Sequence, residues 1–121
     1  MGRARQLPPG PARDLMLHEA RKAAKRARYA AEVAGPVAGK RAARFATRMK
    51  AVQSVLGDHH DAITAQAAAR EIGVQAHLAG ENAFTFGLLH ERASAQAATA
   101  EARAVVAWKR AARRKSRRWL R

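Results

Sequence analysis

The sequence has no cysteine, few aromatic residues (5%) and only 9 acidic residues. Without cysteine, disulfides and thiolate chemistry are excluded, and a reducing cytoplasm is the expected compartment. The shortage of aromatics means a thin core, with helices packed close together. No apolar run approaches the length of a membrane span, and the N-terminus has no signal-peptide apolar stretch. Alternation of apolar and polar residues does not persist, and β-branched residues are sparse, which excludes a β architecture. Against the 9 acids stand 24 Lys+Arg, a formal charge of +15 and a pI near 11.8. A field of that size favours polyanions: nucleic acid, an anionic membrane or inorganic polyphosphate.

What the chain does have is alanine and periodicity. At 121 residues it is one domain by size. The segment from His18 to Tyr29, advanced as a helix, places Lys22, Lys25 and Tyr29 within about 40° of His18. Arg21 and Arg28 flank that stripe on one side and Arg26 on the other, while Ala20, Ala23, Ala24, Ala27, Ala30 and Ala31 fill the opposite face. Arg21 and Lys22 each stand three or four residues from Lys25, where like charges destabilise a helix. A counter-anion lying along the stripe would relieve that repulsion.

In chain order, residues 1–13 are expected as a disordered, basic, Pro-rich arm. Asp14 is the expected N-cap of a first helix that Gly35-Pro36 stops near Ala34. A second helix is expected from Val37 to Leu56, its core stripe Ala38, Ala42, Phe45, Met49, Val52 and Leu56 recurring at steps of four and three. Gly57-Asp58 reads as a break, with Asp58 capping a third helix that ends at Gly73. A fourth helix is expected from Gly80-Glu81 through Trp108 towards Lys115, with a kink or a close helix contact at Gly87. Residues 14–116 would thus form an all-α, antiparallel four-helix bundle, and 117–121 a basic tail. Trp108 is expected to close the bundle; the part played by Trp119 stays open.

Catalytic patterns are weak. Asp58-His59-His60-Asp61 suggests a metal site, but adjacent histidines at a helix start diverge, so a cap and two polar surface residues is the better reading. Asp61 could instead hold a lysine or arginine of the basic face. His77 and His90 read as surface or interface residues. His18 has no nucleophile near it in sequence, and Glu19 and Glu32 point to helix flanks, so no catalytic residue, metal or cofactor is assigned. Binding is expected rather than an enzyme.

The row His18-x-x-Arg21-Lys22-x-x-Lys25-Arg26-x-Arg28-Tyr29 resembles the signature of the CHAD domain, the conserved histidine α-helical domain. Val52-Gln53-Ser54-Val55-Leu56-Gly57, followed by Asp61, is similar to that family's second segment, with Val52 where leucine is usual. Phe84-x-x-Gly87-x-Leu89 resembles a third, weaker element. The resemblance implies a helical domain that binds inorganic polyphosphate through basic side chains of a central channel. The residues it implies are His18, Arg21, Lys22, Lys25, Arg26, Arg28 and Lys50, to which Arg48 is added from the second helix. The family's domain is usually about twice this length, two bundles facing each other, so this chain resembles the C-terminal half. The expected partners are therefore polyphosphate and a second copy, or another protein, supplying the other half, with polyphosphate granules as a site. The alternative is non-specific nucleic-acid binding through the same charge.

Overall fold

Alanine at heptad spacing lets helices approach closely, and three long helices result. The computed structural model describes residues 4, 6–113 and 117–120, and no strand occurs among them. Helix α1 spans Pro11–Ala38, α2 Lys40–Leu78 and α3 Phe84–Ala112, followed by a short 3₁₀ turn at Arg118–Leu120. Both α1 and α3 pack on α2, which at 39 residues is the longest element. Leu17, Ala24 and Ala31 of α1 meet Met49, Val52 and Leu56 of α2 in the core, and α3 closes it with Ala100, Ala104 and Ala111. Leu17, Val52 and Leu56 are the large side chains with no exposed surface to speak of.

The expected four-helix bundle is corrected to three helices. Gly57 and Gly73 lie inside α2 without positive φ. A lone glycine costs a helix only about 1 kcal/mol relative to alanine, which the flanking apolar contacts outweigh. The chain reverses instead where glycine adopts positive φ, at Gly39 (69°) and Gly80 (75°). Nor does Gly35-Pro36 stop α1, which continues two residues past the proline. Gly35 has no Cβ to collide with the proline ring, and Gly39 N–H closes the last turn on the Gly35 carbonyl at 2.8 Å.

Two caps are corrected with the helices. Asp14 lies within the first turn of α1, where Gly10 precedes Pro11, and its N–H bonds the Gly10 carbonyl. Asp58 sits in mid-helix. The start of α3 is instead held by Asn82, whose Oδ1 accepts from Phe84 N–H at 2.9 Å. A close helix approach exists at Gly73, where an added Cβ would stand 3.0 Å from Phe86 Cβ; Gly87 has nothing within 4 Å. Trp119 packs on Phe45, ring centroids 5.3 Å apart. Arg3, Arg5 and the segment 114–116 lie outside the described residues.

Because α1 begins near the level of His59 and Glu101, the distal parts of α2 and α3 run on without it. The molecule is therefore a three-helix body and a two-helix arm. Arg13 of α1 pairs with Glu101 of α3 at the junction.

Candidate anion-binding cleft

Antiparallel packing about the single linking residue Gly39 brings together residues equally distant from it. His18 and His60 both stand 21 residues away, and their rings stack with centroids 4.1 Å apart. Arg21 and Gly57 both stand 18 away, and Arg21 Nε lies 3.4 Å from where a Gly57 Cβ would be. Gly57 is thus the seat over which the Arg21 guanidinium crosses onto α2. Arg28 and Lys50, both 11 residues from Gly39, line the same cleft.

That cleft, about 310 Å³, runs between α1 and α2 and is lined by Arg21, Arg28, Lys50, Gln53, Ser54, Gly57, Asp58 and Asp61. Its polar atoms are under-used by the protein. Arg21 Nε, Arg28 Nε, Gln53 Oε1 and, beside them, His18 Nδ1 are buried without a hydrogen-bond partner. Arg28 Nε approaches Glu32 Oε1 at 3.5 Å without hydrogen-bond geometry, and its guanidinium lies over the Tyr29 ring, 4.6 Å from the centroid. A buried N–H without an acceptor costs about 1–3 kcal/mol, so the two arginine Nε–H groups suit an acceptor-rich guest, whereas Gln53 Oε1 is an acceptor that only a donor satisfies. Phosphate oxygens are acceptors of that kind, and planar guanidinium forks suit them.

The charge is graded along the cleft. Arg28 and Lys50 stand at one end; Asp58 and Asp61 stand at the end nearest the His18–His60 stack. Among the described residues no ion pair engages either aspartate.

Histidine environments are unusual here. His59, read from sequence as a surface residue, is 3% exposed, with Nε2 3.7 Å from Asp14 Oδ1. Burial pushes its pKa down; Asp14 and Glu101 oppose that shift, while His60 and Arg13 add to it. The His18 pKa is also lowered, first by desolvation, then by His60, Lys22 and Arg21, with Glu19 opposing. Both imidazoles are therefore held towards the neutral form at neutral pH.

Of the residues singled out from sequence, the cleft gathers Arg21, Arg28 and Lys50, with His18 at its edge. Lys22, Lys25 and Arg26 are exposed on α1 outside it; Lys22 pairs with Glu19 at 3.2 Å, and Lys25 Nζ lies 5.8 Å from the Tyr29 centroid. Arg48 points elsewhere, donating to the Arg110 carbonyl near the end of α3 at 3.2 Å. Sequence reasoning missed Gln53, Ser54 and Asp58 as cleft residues, and His60 as the partner of His18. Equidistance from Gly39 would have found them, had the first helix been run through Pro36.

Fold and site together define an all-helical protein with a basic interhelical cleft. Comparison with known proteins supplies the family: the CHAD domain model matches residues 2–70, and the chain belongs to that family. CHAD domains are known for binding polyphosphate and are generally binding modules rather than catalysts. The match takes in the signature helix and the Gln53–Gly57 segment; Phe84-x-x-Gly87-x-Leu89 falls beyond it. Two uncharacterized proteins of Mycobacterium tuberculosis are similar: MT2285 of strain CDC 1551 / Oshkosh and Rv2226 of strain ATCC 25618 / H37Rv. Each is 36% identical over 80 residues, 66% of this chain but 14% of the relative's own length. The chain thus spans a small part of the relatives it matches. No solved structure matches. No helix among the described residues is long and apolar enough to cross a membrane.

Proposed function

We propose that the cleft binds inorganic polyphosphate without hydrolysing it. The observation that carries this reading is the meeting of Arg21, Arg28 and Lys50 in one cleft, where the buried Nε–H of both arginines makes no hydrogen bond among the described residues. Arg21 and Arg28 come from one family motif, and Gln53 and Gly57, which line the same cleft, from the other. Lys22, Lys25 and Arg26 on the exposed side of α1 extend the cationic surface for a polymer longer than the cleft. The cellular counterpart of this reading is residence at polyphosphate granules.

Calorimetric titration with long-chain polyphosphate tests it. Arg21→Ala should weaken binding about tenfold or more, the worth of one charge-assisted hydrogen bond. Arg70→Ala, on the arm, should leave it unchanged. Wild-type affinity in Arg21→Ala would remove the cleft from the mechanism. Nucleic-acid binding is the competing reading because of the +15 charge; polyphosphate should displace DNA at low concentration, and DNA should barely displace polyphosphate. No phosphate release is expected with Mg²⁺ present.

A further inference from the structure

Charge is not spread evenly over this protein. From Asp61 to Glu101 there are five carboxylates, Asp61, Glu71, Glu81, Glu91 and Glu101, against Arg70 and Arg92, a net −3. All other residues together carry the remaining +18. The low-charge stretch is the arm, the part of α2 and α3 that α1 leaves uncovered. It also exposes apolar side chains: Ile72, Leu88 and Leu89 are each about half accessible.

Those features converge on one face. On α2, Asp58, Asp61, Ala65, Ala68 and Ile72 recur at steps of three and four. On α3, Leu89, Arg92, Gln96, Thr99 and Arg103 do the same. Such spacing is the seam of a helix bundle. Between the two stripes lies a groove of about 660 Å³ whose floor is alanine, among it Ala62 and Ala100. Alanine floors admit a second helix pair at close distance. Asp58 and Asp61 form one bank and Arg92 and Arg103 the other, and no ion pair among the described residues engages any of the four.

We infer that the arm pairs with the arm of a second copy of this chain through this groove, forming a parallel, two-fold, four-helix bundle. The arrangement is self-complementary. With the two-fold axis along the groove, each α2 stripe meets the other copy's α3 stripe at the same level. Asp58 then comes level with Arg103 at the body end, Ala68 with Arg92, and Ile72 with Leu89 at the tip. An antiparallel pairing would set the charged end of one seam on the apolar end of the other, burying charge without a partner. Parallel arms also set the two bodies, +18 each, side by side, so the dimer should tighten as salt or a bound polyanion screens them. The inference does not depend on which anion the cleft takes.

Analytical ultracentrifugation of the full chain without any phosphate polymer, at about 0.5 M salt to screen the bodies, is the test. A dimer is expected. Ala68→Arg sets a guanidinium level with Arg92 of the other copy, a like-charge pair in the seam, and should weaken association by about a hundredfold or more. Ala67→Arg, also exposed but off the stripe, should leave the dimer intact. Both sites are exposed in mid-helix and arginine is a good helix former, so folding, checked by circular dichroism, should persist. A monomeric wild type, a dimer surviving Ala68→Arg, loss of the dimer in Ala67→Arg, or open-ended assemblies would each overturn the proposal. Spin labels at Glu81→Cys decide the orientation: tips together, within about 30 Å, are expected, and a separation near 50 Å would mean antiparallel arms. Polyphosphate titration of the Ala68→Arg monomer separates a failure of pairing from a failure of anion binding.

Discussion

At the scale of single residues, the site rests on one absent side chain and one ring stack. Gly57 lets the Arg21 guanidinium lie across α2, and the His18–His60 stack holds the neighbouring end of the cleft together. Desolvation of His18 and His59 has a pH consequence. In the fold, the pKa values of His18 and His59 lie below 6.5, whereas the unfolded chain protonates at the ordinary value. As pH falls below 6.5 the unfolded state therefore binds more protons, and stability declines until the folded pKa values are passed. Melting temperature should be full at pH 7.5 and lower at pH 5.5. Bound polyphosphate, by favouring the imidazolium of His18, should shrink that difference; an unchanged difference would separate His18 from the anion.

At the scale of elements, glycines that look alike in sequence behave in three ways. Gly39 and Gly80 turn the chain, Gly57 and Gly73 admit close neighbours, and Gly87 is a bare helix position. Gly87→Ala should stabilise by about 0.5–1 kcal/mol, the propensity difference alone. Gly73→Ala should destabilise by about 1 kcal/mol or more, since its Cβ meets Phe86 Cβ at 3.0 Å. Chemical denaturation of the two variants distinguishes them; equal shifts would mean Gly73 is no closer to α3 than Gly87. This is also why the fold was only partly legible in the sequence. The heptad row Ala42, Phe45, Met49, Val52, Leu56 is buried as its spacing indicates, because periodicity reports the face that packs. Gly57-Asp58 reads as a break yet continues the helix, and Gly39 falls inside the expected second helix yet turns the chain, because whether a glycine turns or continues depends on tertiary neighbours that local sequence does not carry. The cationic helix was legible as a stripe. Which of its cations enter the cleft was not, because that depends on the antiparallel partner. Arg21 and Arg28 lean towards α2, whereas Lys22, Lys25 and Arg26 face away.

On the scale of the whole molecule, self-repulsion of the basic body should dominate stability at low ionic strength. Raising salt from about 0.01 M to 0.1 M shortens the screening length from about 30 Å to 10 Å and should raise the melting temperature. Long-chain polyphosphate should do the same at far lower concentration, since a hundredfold excess over Kd adds about 2.7 kcal/mol. Monophosphate at equal total phosphate should not. A melting temperature indifferent to salt would mean that the charge is already neutralised within the chain.

The graded cleft has one more consequence. A polyanion laid in past Arg28 and Lys50 runs towards Asp58 and Asp61, then towards an arm of net negative charge. One mouth invites phosphate and the other repels it. On the proposed function the cleft is a socket rather than a tunnel: it should accept the free end of a linear phosphate chain and refuse a closed ring.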